Sequence, residues 1–404
     1  MDELATQHIG IVGGGMVGLL AALALERSLP DNCAIHVFDV ATLDFNRPLS
    51  QPSFDDRSTA LSYDTLRYLQ SLGLLEIPQS ACPIQSIHVS NKGRLGSTVL
   101  TAEHVGWPQL GGVIENRILG DVLAAHLQIS RIRVHAPSEV TGIAPKVRGV
   151  EVSYTNGQIM PLDCLIIADG GQSVLAQRLG MLRESKSYAN SAIIANVGTA
   201  LHHEHCAYER FSEQGPMAML PLNNAGDQHR SALVWTAPKA RVDELMALTD
   251  RQFCKSLEVQ FGYRLGRIEQ VGKRSVYPLQ MMHRLEQVRA GIVVLGNAAH
   301  TLHPVAGQGF NLSVRDIRSL TEVLIHCSTC HDFSSAALSP YAERRALDQY
   351  RTVNASDLLP ELFQYTGVVG AVRNFALGVM DVIPVVKQRF TAVAAGAIAE
   401  GDYV

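Results

Sequence analysis

A glycine-rich phrase near the amino terminus constrains the fold of this chain more than any other part of its sequence. An apolar run at residues 9–12 is followed by Gly13, Gly15 and Gly18, and then by strong helix formers. The first glycine permits a tight turn, the second lets a phosphate approach the backbone, and the third lets helix and strand pack closely. The spacing therefore predicts a strand, a turn and a helix whose N-terminus binds a dinucleotide pyrophosphate.

An acidic residue completes this pattern. A second apolar segment, residues 34–38, leads directly to Asp39. A carboxylate about 20 residues beyond the last glycine is expected to accept hydrogen bonds from a ribose. A glycine turn without a ligand is the alternative interpretation, but strand, helix and acid together favour a nucleotide site.

Two further glycine phrases follow in a fixed order. Residues 164–167 form an apolar segment that leads to Asp169 and Gly170, and the third phrase begins at Gly296 and ends at Asn311. One such phrase is a weak signal. Three in this order predict a chain that encloses an entire FAD.

The composition indicates a folded enzyme. A chain of 404 residues is too long to fold around a single hydrophobic core, so we expect two or more domains. The net charge of −4, without a basic stripe, argues against nucleic acid as a partner. No run approaches the roughly 18 apolar residues of a membrane span, and the seven cysteines form no disulfide framework. These features predict a cytoplasmic protein.

Two short segments contain residue types that bind metals. Residues 202–206, HHEHC, are consecutive candidate ligands, which cannot all face one ion in a regular element. We therefore expect a solvated loop. Cys327 and Cys330 have redox or zinc spacing, but no second pair accompanies them. The sequence predicts no metal site.

The order of the expected elements indicates an α/β protein with a β-rich insertion. Expected helices span residues 59–72, 113–127, 240–261 and 309–327, with Pro360 and Pro384 as breaks in a helical tail. Expected strands include residues 149–155, 191–197, 216–220, 231–236 and 274–279, the first ending in a type I′ turn at Asn156-Gly157. We predict a discontinuous Rossmann-like FAD-binding domain (1–80, 111–180 and 286–350), a substrate domain (81–110 and 181–285) and a C-terminal helical segment (351–404).

The three phrases together resemble those of the flavin-dependent aromatic hydroxylases of the 4-hydroxybenzoate hydroxylase type. The shared order is G-x-G-x-x-G, then A-D-G, then GNAAHTLHPVAGQGFN, and the resemblance covers essentially the whole chain. Residues 215–222, 272–279 and 373–387 are similar to the branch that acts in ubiquinone biosynthesis.

The resemblance implies a reaction as well as a fold. In this family NADPH reduces FAD, oxygen adds at the flavin C4a, and the hydroperoxide hydroxylates an electron-rich phenol. For the ubiquinone branch the substrate is a polyprenyl methoxyphenol. The cofactor performs the difficult chemistry, while the protein orients it and excludes water.

By position in the motifs, the resemblance also implies site residues. Cofactor contacts are expected from Gly13, Gly15, Met16, Val17, Gly18, Asp39, Arg57, Asn116, Asp169, Gly170, Asn297, Gly307, Gln308, Gly309, Phe310 and Asn311. His303 and Pro304 are expected to line the catalytic pocket beside the flavin. Leu220, Pro221 and Tyr277 are candidate substrate contacts, with core packing as an equal alternative.

The sequence departs from the family pattern at two places. Asn297 stands where the third phrase usually has Asp, which keeps an acceptor but loses a charge. After Ser173 the family often has an arginine tied to NADPH handling, and here Ala176 takes that place. The resemblance implies NAD(P)H as the reductant, but without this arginine the residues that contact it are undefined.

Several alternatives remain open at this level. A sibling hydroxylase acting at another ring carbon is the nearest, and a flavoprotein scaffold of the ubiquinone-synthesis proteins is the main non-enzymatic one. A flavin halogenase would need a Trp-x-Trp motif, and the only tryptophans are Trp107 and Trp235. Expected partners are the polyprenyl phenol, other ubiquinone-biosynthesis proteins and peripheral membrane lipid, contacted through residues 375–386. A homo-oligomer is also left open.

Overall fold

The structure is a computed structural model that describes residues 6–44, 53, 55, 57–93, 97–212, 214–302 and 307–364, without the side chains of 156 and 358–364. His303, Pro304 and the apolar segment 375–386 lie outside the described residues, as does Pro384. Among the helices that are described, none is both long and apolar enough to cross a bilayer.

The strands described are β1 (Gln7–Val12), β2 (Cys33–Phe38), β3 (Ser58–Ser62), β4 (Cys82–Ile84), β5 (Ser86–Asn91), β6 (Ser97–Thr101), β7 (Gly111–Glu115), β8 (Arg133–His135), β9 (Val140–Pro145), β10 (Val150–Tyr154), β11 (Gln158–Leu162), β12 (Cys164–Ile167), β13 (Arg183–Thr199), β14 (Cys206–Phe211), β15 (Met217–Ala225), β16 (Gln228–Pro238), β17 (Ile268–Val271), β18 (Ser275–Arg284), β19 (Val288–Arg289), β20 (Ile292–Val294) and β21 (His300–Thr301).

The helices described are α1 (Met16–Ser28), α2 (Tyr63–Ser71), α3 (Glu76–Ser80), α4 (Asn116–Gln128), α5 (Val174–Arg178), α6 (Lys239–Ala247), α7 (Asp250–Phe261), α8 (Gln308–Cys330) and α9 (Ser335–Gln364).

A six-stranded sheet, in the order β19-β20-β12-β1-β2-β8, forms the half of the molecule for which the sequence predicts a nucleotide site. Its strands are parallel except for the β19–β20 pair. Helix α1 is apolar almost all round, because it is covered by this sheet on one side and by α4 and α8 on others. The three glycine phrases follow β1, β12 and β20, which are inner strands of this one sheet.

A nine-stranded sheet forms the other half, in the order β21-β18-β13-β16-β15-β14-β5-β6, with β17 also paired to β13. Met217, Met219 and Trp235 on one face pack against α6 and α7 in a separate core. Two small antiparallel sheets, β11-β10-β9 and β3-β7-β4, complete the described fold. The expected α/β fold is confirmed. The domain boundaries stay a prediction, and β4, inside the expected substrate segment, pairs with β7.

The two early helices begin later than the sequence predicts. Residues 58–62 form β3 and residues 111–115 form β7, and these two strands pair along their length. Their apolar and β-branched residues are extended because a partner strand lies opposite. Helix α2 begins only after Ser62, whose hydroxyl caps it by accepting the N–H of Thr65 at 3.2 Å.

Three other local expectations were wrong. The span 240–261 is two helices, because Thr249 and Gln252 form a capping box that starts α7. The hairpin after β10 has a three-residue loop, Thr155–Gly157, whereas a type I′ turn has a two-residue loop. Helix α9 runs through Pro360 to Gln364 instead of breaking there.

Three histidines form a hydrogen-bonded ladder across the six-stranded sheet. His8 Nδ1 lies 3.1 Å from His36 Nε2, and His36 Nδ1 lies 3.0 Å from His135 Nε2. Burial, together with the neighbouring His135, His8 and Arg133, lowers the pKa of His36 to about 4. The folded protein therefore holds His36 neutral at a pH where an unfolded chain would protonate it.

This ladder predicts a loss of stability in mild acid. The unfolded histidine takes a proton near pH 6.5 and the folded one only near pH 4, so the free energy of unfolding falls as pH drops through that window. Allowing for partial screening, we expect His36 to contribute about 2 kcal/mol of that loss. Urea titrations from pH 7.5 to 4 should show a shallower slope for His36→Gln than for the native protein. The exposed control His326→Gln should keep the native slope, and equal slopes for all three proteins would contradict the prediction.

Candidate functional site

The first glycine phrase leaves an open helix N-terminus beside the sheet. Gly13 has φ +108°, and a Cβ there would overlap the Ala168 carbonyl oxygen, while a Cβ on Gly18 would overlap the Gly13 carbonyl oxygen. Helix α1 begins after Gly15 without a side-chain cap or an acidic residue in its first turn, as far as the described residues go. The first backbone N–H groups, including those of Met16 and Val17, therefore have no acceptor within the helix, an arrangement that suits an anion.

Asp39 lies at the edge of this turn, at the end of β2. Its Oδ2 accepts the N–H of Gly14 at 2.5 Å, and its Oδ1 accepts the N–H of Ala41 at 2.7 Å. Both oxygens are thereby fixed by backbone, and each keeps a second lone pair. The side chain is half-buried, so those lone pairs remain accessible to a ribose hydroxyl.

Asp169, after β12, carries a buried atom that lacks a partner. Its Oδ1 makes no hydrogen bond within the described part of the structure, and burial raises the pKa of this carboxyl despite bonds from Ser173 and the nearby charge of Arg284. A buried oxygen without a donor is costly and marks a place where a ligand donor belongs. Gly170, with φ +94°, turns the chain away beside it.

The third phrase packs directly on the first. Gly296 has φ +64°, and a Cβ there would come within 2.8 Å of Val17, so only glycine lets the two phrases meet. The Asn297 side chain is exposed, while its carbonyl accepts the Thr301 hydroxyl at 3.2 Å. Gly307, with φ +61°, begins α8.

The residues in the first turn of α8 differ in how deeply they are buried. The half-buried members are Gln308, Gly309 and Phe310. Asn311 is buried instead, and its amide donates to the carbonyls of Ala60 and Gly307, both at 2.9 Å. Because both N–H groups are used, the amide cannot donate to a flavin ring. We revise the expected role of Asn311 from direct contact to positioning of the α8 N-terminus.

Asn116 has a comparable position at the start of α4. It is buried, its Oδ1 accepts the Thr59 hydroxyl at 2.6 Å, and its backbone N–H donates to the Arg57 carbonyl at 2.8 Å. The contact fixes the chain that carries Arg57. Asn116 therefore positions a candidate cofactor residue.

Arg57 joins the two halves of the molecule. Its Nε lies 2.7 Å from Asp55, and its guanidinium lies 4.7 Å from the centroid of the Tyr277 ring on β18. The Tyr277 hydroxyl is 3.4 Å from Asp55. The sequence-predicted cofactor residue Arg57 and substrate residue Tyr277 are thus brought together.

The strand register shows on which face of the nine-stranded sheet each candidate substrate residue lies. Tyr277 lies opposite Ala192, and Leu220 lies opposite Ala232, which in turn pairs with Asn196. Alternation along β13 puts Tyr277 and Leu220 on one face, away from α6 and α7. Pro221 falls on the other face, with Met219 in the helix-covered core. We therefore withdraw Pro221 as a substrate contact.

A charged pair that no sequence pattern indicates lies on the same sheet face as Tyr277 and Leu220. Arg230 donates to Glu115 at 2.6 Å, and Asn196 lies 3.5 Å from the same oxygen. The side chains are half-buried and close to Leu220 in register. No local motif marks them, because β7, β13 and β16 meet only in the folded chain.

A buried polar network, also missed, holds the third phrase from behind. His300 Nε2 lies 2.5 Å from Asp316 of α8, which Arg345 and Gln349 of α9 approach at 2.6 and 3.0 Å. Burial alone would raise the pKa of Asp316, but His300 and Arg345 hold it at about 2. Arg284 further fixes the phrase by donating to the Ala298 carbonyl at 3.1 Å.

Gly309 offers a clean probe of what packs against α8. A Cβ there meets nothing within 4 Å among the described residues, and a helical Gly is about 0.5–1 kcal/mol less favourable than Ala. We expect Gly309→Ala to stabilise the apoprotein by that amount while weakening FAD binding about tenfold. Thermal unfolding of flavin-free protein and a fluorescence titration with FAD measure the two effects. An unchanged FAD affinity would remove Gly309 from the cofactor site.

The matches to known proteins agree with this geometry. The family model of the FAD binding domain matches residues 6–356, and the chain belongs to this family. Ubiquinone hydroxylase UbiL of Rhodospirillum rubrum is 30% identical, over 97% of this chain and 90% of its own. The 3-demethoxyubiquinol 3-hydroxylase of Escherichia coli is 28% identical, over 87% and 88%.

Solved structures share the fold. The p-nitrophenol 4-monooxygenase PnpA of Pseudomonas putida DLL-E4 matches 96% of this chain and 97% of its own, with a TM-score of 0.77 and 17% identity. The probable FAD-dependent monooxygenase pqsL of Pseudomonas aeruginosa matches 93% and 100%, with a TM-score of 0.75 and 18% identity. Family and relatives together make the chain an FAD-dependent monooxygenase, as the sequence predicts.

Proposed function

We propose that the chain hydroxylates the ring of a polyprenyl methoxyphenol intermediate of ubiquinone biosynthesis, the reaction of a 2-polyprenyl-6-methoxyphenol hydroxylase. The coarser assignment, an FAD-dependent aromatic hydroxylase of ubiquinone biosynthesis, follows from the family and its relatives. The observation that carries the substrate proposal is the Arg57–Tyr277 contact. It joins the nucleotide-binding half to a partly apolar sheet face.

The residues present fit FAD. The uncapped N-terminus of α1 suits its pyrophosphate, Asp39 suits a ribose, and the unpartnered Oδ1 of Asp169 suits a ligand hydroxyl. The space beside Gly309, where a Cβ would meet no described atom within 4 Å, suits the flavin ring. Bound FAD, reduced by NAD(P)H, supplies the activation of O2 that a phenol ring requires.

The reductant needs contacts other than the family arginine. Ala176 stands at that position, and its side chain is fully buried in α5. A long charged side chain has no room there, since burying an unpaired charge is costly. NAD(P)H would therefore approach from a different part of the surface.

The protein's own residues would bind and orient the phenol. Leu220 and Tyr277 offer an apolar and aromatic face, and the Arg230–Glu115 pair offers polar contacts at its edge. A polyprenyl tail gains about 0.8 kcal/mol for each methylene removed from water, so the tail dominates affinity. The ring is then held by fewer, directional contacts.

Two expected features extend the proposal beyond the described residues. His303 and Pro304 would line the pocket beside the flavin and help to exclude water. Residues 375–386 would contact membrane lipid, where a polyprenyl substrate resides, and other ubiquinone-biosynthesis proteins would bind nearby.

A sibling reaction at another ring carbon is the second candidate. The similarity to a 3-demethoxyubiquinol 3-hydroxylase specifically favours it. Both candidates need the same cofactor and the same apolar face. They differ only in the carbon presented to the activated oxygen.

A deletion strain separates these possibilities. Grown with aeration, it should accumulate a polyprenyl methoxyphenol that lacks one ring oxygen, identified by mass spectrometry. An intermediate already hydroxylated at that carbon would favour the sibling reaction, and normal ubiquinone would overturn both. Purified protein should oxidise NAD(P)H faster with a prenylated methoxyphenol, and short-tailed analogues should raise KM. If the chain were only a flavoprotein scaffold, the prenylated methoxyphenol would not stimulate NAD(P)H oxidation.

A further inference from the structure

We propose that Cys82, His203 and His205 form a binding site for one zinc ion. The three residues each offer one ligand atom, and these atoms lie within 4.8 Å of one another. The site is distant in sequence from the three glycine phrases and takes no part in the proposed hydroxylation. It revises the expectation of a solvated loop at residues 202–206, because His203 is only 1% exposed.

The turn between β13 and β14 has an unusual backbone. Glu204 and His205 have φ values of 47° and 54°, the left-handed region that residues other than glycine seldom adopt. The turn sets His205 Nδ1 3.8 Å from Cys82 Sγ, which comes from β4. Backbone conformations of this kind cost free energy and cluster where side chains must be held for a ligand.

The tautomer of His203 is also fixed by its surroundings. Its Nε2 lies 2.9 Å from the Leu222 carbonyl, and its Nδ1 accepts the N–H of His205 at 3.1 Å. The ring is therefore neutral, with the proton on Nε2 and the lone pair on Nδ1, and zinc at Nδ1 would replace the hydrogen bond from the His205 N–H. An imidazole that donates its other N–H to a backbone carbonyl is the usual arrangement of a metal-bound histidine.

The donor set selects the kind of ion. One sulfur and two imidazole nitrogens suit Zn²⁺, whereas Ca²⁺ and Mg²⁺ require oxygen ligands. His202 lies beside the site, with its ring centroid 5.7 Å from that of His205. It or a water molecule would complete a tetrahedral set.

A hydrogen-bonded thiol and imidazole is the competing explanation of the 3.8 Å contact. Cys82 is buried, and a thiol in such surroundings is protonated and a poor nucleophile when no metal is bound. Zinc binding would displace its proton: Zn²⁺ and the thiol give a zinc thiolate and one H⁺, while both imidazoles stay neutral. Binding should therefore release one proton, which a hydrogen bond alone would not.

The proposed ion would join two sheets. Cys82 belongs to β4 in the three-stranded sheet, and the histidines precede β14 in the nine-stranded sheet. This is the place where the chain passes from one sheet to the other. The ion would act as a structural cross-link there.

Metal titration of the flavin-loaded, untagged full-length protein tests the proposal. After treatment with a chelator, Co²⁺ should bind at one equivalent with a thiolate charge-transfer band, and Zn²⁺ should displace it with release of one proton. Cys82→Ala should abolish the band, and His205→Gln should weaken zinc binding at least tenfold. Cys206→Ala, beside the site, and Cys330→Ala, which removes the exposed Cys330–His326 contact at 3.8 Å, are the matched controls and should bind normally.

Two results would overturn the site. One is a native protein that binds neither ion stoichiometrically after chelation. The other is a charge-transfer band that survives Cys82→Ala or is lost in Cys330→Ala. If Cys82→Ala does not fold, His205→Gln decides alone: His205 is half-buried, and circular dichroism measures separately whether this variant keeps the fold.

Discussion

Asp316→Ala is expected to reduce the free energy of unfolding by about 3–5 kcal/mol. The carboxylate is fully buried between His300 of the third glycine phrase and Arg345 of α9. Its removal leaves the Arg345 charge buried with one partner fewer and leaves His300 without its acceptor. An uncompensated buried charge costs more than the lost bond itself.

Urea unfolding at pH 7 measures this loss of stability. The protein is used without flavin, so that a change in cofactor binding does not contribute to the result. Asp316→Asn should lose less, because an amide oxygen still accepts one hydrogen bond. The exposed pair Lys239–Asp243 supplies a control, and Asp243→Ala should change stability by under about 1 kcal/mol. Similar losses for Asp316→Ala and Asp243→Ala would show that the buried network contributes little.

Gly18→Ala is expected to lower FAD affinity by more than about a hundredfold, because the pyrophosphate loop and α1 must separate to admit one methyl group. The added Cβ would overlap the Gly13 carbonyl oxygen, which belongs to the backbone and has no alternative rotamer. A displaced helix N-terminus no longer directs its N–H groups at the anion.

Flavin content after gel filtration and a titration with added FAD measure that loss. Gly142→Ala is the matched control, since its Cβ would make only ordinary contacts, at 3.6 Å or more, with Ser153. Gly142→Ala should retain the flavin. If the Gly18→Ala protein purifies with one FAD per chain, the prediction that a methyl group at this position disrupts FAD binding is wrong.

The glycine phrases could be read from sequence because their requirement is local. Gly18 cannot carry a side chain because of the Gly13 carbonyl oxygen in the same strand–turn–helix unit, and the φ of +108° at Gly13 is a backbone conformation that favours glycine. The fold class follows from that unit and from its two later companions. The strands at 58–62 and 111–115 could not be distinguished from helix in this way, because each is extended only through pairing with the other.

Motifs in the sequence point to candidate site residues, but contacts between distant segments are not visible in it. Asn311 was singled out by its motif, whereas its hydrogen bonds depend on the carbonyls of residues 60 and 307, the first of which is far away in the chain. Pro221 was misplaced because a one-residue step along a strand changes the face. The Cys82–His205 contact joins segments that no local spacing relates.

The order of strands in the six-stranded sheet has a consequence for synthesis of the protein. Strands β1 and β2 pair early, but β1 acquires its second neighbour only with β12, and β12 acquires its own only with β20. Helix α1, with its apolar surface, waits even longer for α8 to cover it. Most of the nine-stranded sheet is made in between and is nearly contiguous in the chain. We therefore expect the amino-terminal segment to emerge from the ribosome with apolar surface uncovered, and to rely on chaperones until residue 330 has been made.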